Sequence, residues 1–205
     1  MKVAIFGASG RTGKELMLQS LVKGYEVSAL VRRPESIDVK DPRLFMVQGD
    51  VRDAEPVEKT IMGTDAVMVA LGNRSLKEKD LMEVATRHII ASMVKNNVKR
   101  IIVQSSAGIF GAKDSSFFFG CVIRPLFLKK VFDDKLTQLK LLQESSLDWV
   151  LVRPAGLIDA QKTGKYHITL DKPAGSKISR ADVAEFMLAQ ITSDKYLKQM
   201  PVISY

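Results

Sequence analysis

Short apolar runs alternate along the chain with longer stretches in which apolar residues recur every three or four positions. The short runs fall at residues 3–6, 26–31, 44–48, 66–70, 100–104 and 147–152, and are rich in Val, Ile and other strand formers. Between them, helical spacing recurs. Leu16, Met17, Ser20, Leu21 and Gly24 share one face. Over residues 80–96, Leu81, Val84, Ala85, His88, Ile89 and Ser92 lie on or near one face. Lys135, Leu139 and Leu142 mark a stripe over 133–145. Asp53 has the chemistry of an N-cap. Ser179 with Asp182 three residues later reads as a capped helix start, with Val183, Phe186, Met187 and Gln190 inward and an end near Ile191. Residues 166–170 and 200–204 read as short additional strands. This alternation predicts an α/β fold: a Rossmann-type, doubly wound parallel sheet in one domain, 1–205, with a small C-terminal substrate-side portion.

The rhythm fails once. Residues 114–130 hold Phe117, Phe118, Phe119, Cys121, Val122, Ile123, Leu126, Phe127 and Leu128 with almost no period. Residues 107–133 are therefore expected to form a substrate-side loop or lid. Three consecutive phenylalanines cannot all face one core, so they line a pocket for a flat aromatic substrate, or serve a dimer interface or membrane-surface contact.

Composition narrows the function classes. A length of 205 residues suits a single domain, and no stretch is long and apolar enough to span a bilayer. The start of the chain shows one Lys and then a strand, so no cleavable signal is expected. Cys121 is the only cysteine, which rules out an internal disulfide and fits a cytoplasmic location. The net charge of +8 raises the question of nucleic acid. The basic residues are scattered, however, without a Lys/Arg block or aromatic platform, so a surface that draws in small anions is expected and no nucleic-acid partner. A monomer or weak dimer is expected, and no metal.

Candidate chemistry concentrates where runs end. The first run closes on Gly7-Ala8-Ser9-Gly10-Arg11-Thr12-Gly13, and a helical pattern follows at once. Strand, glycine turn and helix in that order form a phosphate cradle. One glycine turns the chain, another lets backbone approach the ligand, and another lets helix and strand pack closely. Free N–H groups and the helix dipole then favour an anion. The second run ends in Arg32-Arg33, where an NAD site usually offers a carboxylate for the ribose 2′-OH. Two guanidinium groups with no repelling carboxylate beside them favour a 2′-phosphate, hence NADP(H). Asp50 and Val51 end the third run and suit adenine. Leu71, Gly72 and Arg74 follow the fourth and suit the ribose and diphosphate. Ser105 and Ser106 close the fifth, either beside the nicotinamide or simply satisfying the turn. Pro154 and Leu157 follow the sixth. His88 and His167 read as structural.

Taken together, Gly7 to Gly13, Leu30-Val31-Arg32-Arg33, Gly49-Asp50-Val51, Leu71-Gly72-Asn73-Arg74 and Ser105-Ser106-Ala107 resemble the atypical short-chain dehydrogenase/reductases. The resemblance is closest to the biliverdin-IXβ reductase / NADPH-dependent flavin reductase group. It continues through Leu142-Gln143-Glu144-Ser145, Gly164-Lys165-Tyr166, Ile168-Thr169-Leu170-Asp171 and Ile178-Ser179-Arg180, so it spans nearly the whole chain. It implies NADPH extended over the sheet edge and hydride transfer to a flat conjugated flavin or tetrapyrrole. By position, the loop from Gly7 and Ser9 through Gly10, Arg11, Thr12 and Gly13 takes the diphosphate. Arg32 and Arg33 take the 2′-phosphate, and Asp50 and Val51 the adenine. Leu71, Gly72 and Arg74 flank the ribose and diphosphate. Ser106 lies near nicotinamide and substrate, with Ser105 beside it, and Pro154 and Leu157 line the nicotinamide pocket.

Two departures bear on mechanism. Animal biliverdin-IXβ reductases carry a histidine where this chain has Gly156. The wider family uses a Tyr-x-x-x-Lys pair, and here Lys135 fits the lysine but Val131 stands at the tyrosine position. Valine cannot protonate an alkoxide, so reduction of a flavin, biliverdin or a quinone is favoured over alcohol/ketone chemistry. The alternative is a non-catalytic NADP(H)-binding redox-sensing regulator of the NmrA-like type. A nucleotide-sugar epimerase is disfavoured by Val131 and the short C-terminal region. Replacing Arg32 and Arg33 together by Ala should narrow the NADPH-over-NADH preference in kcat/KM by about tenfold or more, the worth of a lost charge-assisted bond.

Overall fold

Parallel pairing of the apolar runs builds the central sheet. The computed structural model describes residues 1–72, 80–113 and 129–205. Its strands are β1 (Lys2–Phe6), β2 (Glu26–Val31), β3 (Leu44–Gln48), β4 (Ala66–Val69), β5 (Arg100–Gln104), β6 (Asp148–Pro154), β7 (Gly156–Ile158), β8 (His167–Thr169), β9 (Lys177–Ser179) and β10 (Val202–Ser204). Eight of them form one sheet in the order β3-β2-β1-β4-β5-β6-β10-β8. Every pairing is parallel except β8 with β10. The order reverses direction between β1 and β4, which opens a crevice at their C-terminal ends.

The period-two alternation of a strand assigns the two faces. Val3 and Ile5 of β1 belong to the core beneath α1 (Arg11–Val22) and α5 (Arg180–Ala189). Ala4 and Phe6 belong to the opposite core, under α2 (Ala54–Ile61), α3 (Leu81–Lys95) and α4 (Lys129–Glu144). Both faces of the inner strands β1, β4, β5 and β6 are covered, so these read as nearly continuous apolar runs rather than alternating ones, whereas the outer β3 stays partly exposed. The strands at 26–31, 44–48 and 100–104 have the expected bounds.

Elsewhere the structure corrects the sequence reading. The core face of α3 is Met82, Ala85, Thr86, Ile89, Ser92 and Met93, with Val84 and His88 only half-buried at its edge. The two methionines extend the apolar face around the helix. The helix expected at 133–145 begins four residues earlier, at Lys129. Of the expected lid at 107–133, Ala107–Lys113 is a 3-10 helix and 129–133 is the start of α4. The Phe117-Phe118-Phe119 segment and Cys121 lie outside the described residues. β7 and β9, unforeseen, pair as a small second parallel sheet.

Two buried ionic groups fix the C-terminal third. Arg153, 2% exposed, donates from Nε to Met200 O at 2.9 Å and from Nη2 to Leu170 O at 2.7 Å, tying β6 to both neighbouring segments. Asp182 is fully buried. Its N–H donates to Ser179 Oγ at 2.9 Å, the expected cap. Its carboxylate accepts Tyr205 Oη at 2.6 Å, Ser179 Oγ at 2.8 Å, Thr163 N at 2.9 Å and Gly164 N at 2.8 Å. Burial alone would raise this carboxyl's pKa, but the bonds from Tyr205, Gly164, Ser179 and Thr163 outweigh it and leave the pKa below the ordinary 3.8. A folded pKa below the unfolded one stabilises the protein fully above pH 3.8 and stops doing so as pH falls through the folded value. Asp182→Asn should therefore cost roughly 1.5–3 kcal/mol at neutral pH, with the deficit shrinking at acid pH, read from urea midpoints.

Candidate functional site

Steric exclusion at two glycines shapes the crevice. Gly7 ends β1 at φ +90°, in the left-handed region, and a Cβ there would stand 2.5 Å from Ala70 O. A Cβ on Gly13 would overlap Gly7 O, so α1 rests directly on the turn. Gly10 N donates to Gly7 O at 2.9 Å and closes the turn. The first bond along α1 runs from Lys14 N to Gly10 O at 2.8 Å. The N–H groups of Arg11, Thr12 and Gly13 stand ahead of it, and no acidic residue occupies the first turn. Such a helix end attracts anions.

A narrow cleft of about 100 Å³ lies in front of this turn, walled by Gly7, Ser9, Gly10, Arg32, Asp50, Val51, Leu71 and Gly72. Eight of the sixteen expected cofactor residues therefore wall this cleft at the switch point. Arg32 Nη1 lies 3.9 Å from Asp50 Oδ2. The expectation that no carboxylate stands beside the arginines is thus wrong: parallel pairing of β2 with β3 carries Asp50 to the end of the neighbouring strand. Asp50 Oδ1 accepts Arg52 N at 2.9 Å, which fixes the loop after β3. His88 Nδ1 lies 3.1 Å from Val51 O, a structural contact behind the same loop. Asp53 is the N-cap of α2 by position, without a side-chain cap bond. Arg33 is exposed and does not wall the cleft. Thr12 is buried beneath the helix start. Arg11 does not wall the cleft, and its guanidinium meets Asp159 at 2.8 Å. Arg74 lies outside the described residues.

A second, larger cavity of about 900 Å³ shares Leu71 and Gly72 with the cleft. Ser105, Ser106, Lys135, Pro154 and Leu157, all expected site residues, line it, and so do Gly156, Ala107 and Gly108. Ser105 Oγ and Gln104 Oε1 are buried without a hydrogen-bond partner. The Ser105 hydroxyl therefore does not serve the turn. An unpaired buried polar atom costs about 1–3 kcal/mol, which a polar ligand in the cavity recovers. Lys135 is half-buried. Desolvation lowers its pKa to about 8, against the opposing charge of Asp134. Asp134 accepts Met82 N at 2.9 Å and Glu83 N at 3.0 Å, so α4 caps α3 and Lys135 is held in register with the cavity. Sequence reasoning missed Gln104, Lys172 and Arg180 in this wall. Arg180 is visible in sequence only as part of a capping box, and Lys172 sits in a loop with no periodic signal.

Comparison with known proteins fits this geometry. Residues 7–194 match the model of a family described as NAD(P)H-binding. The chain is 29% identical over 202 residues to the uncharacterized protein YwnB of Bacillus subtilis, covering 93% of this chain and 92% of that protein. It is 25% identical over 202 residues to the uncharacterized sugar epimerase YhfK of the same species, covering 93% and 88%. Among solved structures, ChuY from Escherichia coli O157:H7, described as an anaerobilin reductase, superposes with a TM-score of 0.82 at 22% identity, covering 99% of this chain and 96% of that one. The glycine cradle is the kind of helix start that receives a phosphate. Gly13→Ala should force α1 off the turn at a cost of about 1–3 kcal/mol and weaken NADP⁺ binding about tenfold or more, read by thermal unfolding and calorimetric titration.

Proposed function

The chain belongs to the NAD(P)H-binding family, and we propose that it is an NADPH-dependent reductase that passes hydride to a flat conjugated acceptor: a flavin, biliverdin or a quinone. The observation that carries this reading is that the cleft and the 900 Å³ cavity share Leu71 and Gly72 as wall residues, which would give a dinucleotide and an acceptor one common border. Bound NADPH supplies the hydride. The chain supplies position and charge.

The free N–H groups of α1 receive the diphosphate. Arg32 takes the 2′-phosphate and gives the preference for NADPH over NADH, with Arg33 as the outer charge. The neighbouring Asp50 orients Arg32 and faces the adenine with Val51. Ser105, Ser106, Pro154 and Leu157 border the nicotinamide, and Ser106 meets the acceptor as well. The Lys135 ammonium stabilises the negative charge that a conjugated ring gains with the hydride. Val131, one helical turn before it, cannot act as an acid, and the ring makes little demand for one because the charge is delocalised. The same valine weighs against epimerase chemistry, which needs a base at the sugar hydroxyl.

Val131 also favours a second reading, a non-catalytic NADP(H)-binding redox-sensing regulator. Steady-state NADPH oxidation with FMN, riboflavin, biliverdin and a quinone separates the two. Turnover with at least one acceptor, faster with NADPH than NADH, is expected. Tight NADP⁺ binding without turnover on any acceptor would assign the regulator instead. In the active case, kcat should fall as pH rises through about 8, where Lys135 loses its proton, and Lys135→Met should be slow and flat across that range.

A further inference from the structure

Arg11 opens α1, the helix whose start borders the cleft, yet Arg11 is not among the residues that wall the cleft. Its Nη1 meets Asp159 Oδ2 at 2.8 Å. Asp159 follows directly on β7, and its other oxygen, Oδ1, takes Arg180 Nη1 at 2.6 Å. Arg180 opens α5 and lines the large cavity. One carboxylate thus stands between two arginines and the starts of two adjacent helices. Desolvation alone would raise its pKa, but the hydrogen bonds and charges of Arg11 and Arg180 together outweigh it and hold the carboxyl below the ordinary carboxylate range, so it is an anion at neutral pH.

The two pairs differ in kind. With Arg180 the cation is almost buried, at 11% side-chain exposure. With Arg11 both partners are exposed, at 71% and 61%. An ion pair that open to water adds little to folding stability, and it can be exchanged without disturbing the core. The anion it would be exchanged for is the one the helix start attracts.

We propose that Asp159 is a competitor for Arg11 that sets how tightly the cofactor is held: the pyrophosphate takes Arg11 over, and Asp159 stays on Arg180. This rests on the reading above that the start of α1 receives the pyrophosphate. Asp159 is a positioning residue and touches neither hydride donor nor acceptor. Its charge opposes the incoming pyrophosphate, and its bond to Arg11 must break before that side chain can turn inward.

Asp159→Asn keeps the shape and removes the charge. It should bind NADP⁺ about twofold to fivefold more tightly by calorimetry, an effect that fades at high salt. Binding of 2′-AMP, which has no pyrophosphate, should be unchanged. Arg11→Ala should bind NADP⁺ more weakly than the natural chain, and adding Asp159→Asn to it should restore little. A merely structural Asp159 would instead show a lowered melting temperature and equal or weaker affinity for both ligands. If the natural chain binds NADP⁺ and Asp159→Asn binds it no more tightly, the exchange is wrong while the cofactor reading stands. If the natural chain gives no saturable NADP⁺ signal, both fall.

Discussion

Three backbone segments meet at one point without space for a side chain between them. Gly7 turns at the end of β1 against the carbonyl of Ala70, and Gly13 sets α1 against the carbonyl of Gly7. That contact fixes the angle at which α1 leaves the sheet, and therefore where its unpaired N–H groups point. It also forces the chain after β4 to pass in front of the turn, which is how Leu71 and Gly72 come to border both cavities. Parallel order does the rest. With β1 at the switch point, every strand from β3 to β6 delivers its C-terminal residues to the same edge. Arg32, Asp50, Leu71, Ser105 and Pro154 are far apart in sequence and close in space for that single reason.

The far side of the site depends on a different physics. Beyond β6 the strands are three residues long, and hydrophobic burial alone is a weak constraint on them. Directed polar bonds replace it. Arg153 spends its donors on the carbonyls of Met200, Leu170 and Asp171, and Asp182 gathers Tyr205, Ser179, Thr163 and Gly164 onto one carboxylate. Both groups are buried, so losing one partner strands a charge and cannot be repaired by water. The segments behind the outer wall of the large cavity are therefore held by buried polar bonds rather than by apolar burial alone.

This division also explains what could be read from the chain. The strands at 26–31 and 100–104 are legible because burial on both faces leaves few polar residues between their ends, Ser28 alone interrupting them. The cradle is legible because no other residue fits at Gly7 or Gly13. Most of the expected residues line two adjoining cavities because strand order brings the ends of the parallel runs to one edge, while Arg11 and Arg33 fall outside both. β7 and β9 escape notice because three residues carry no period. The Arg32–Asp50 approach and the Arg11–Asp159–Arg180 bridge escape it for another reason. Each joins residues whose separation along the chain, 148 positions for Arg11 and Asp159, leaves no local trace. Charge placement of that kind is set by register between strands and by where a loop returns, and neither is encoded in a short window.

The electrostatics of the large cavity bear on which chemistry it can favour. Among the described residues that line it are Lys135, Lys172 and Arg180, and no carboxylate. A ketone reduced by hydride concentrates negative charge on one oxygen, which needs a proton from a neighbouring acid, and position 131 offers a methyl-bearing side chain instead. A conjugated ring spreads the same charge over many atoms. A diffuse anion is stabilised by a field of nearby cations and needs no proton at a fixed place. On the proposed reading, Val131 removes the acid that a ketone would need, while Lys135 and Lys172 still favour a diffuse anion, Arg180 being paired with Asp159. Under the reductase reading, the missing tyrosine is a statement about the acceptor: its charge must be shared across a ring before water supplies the proton.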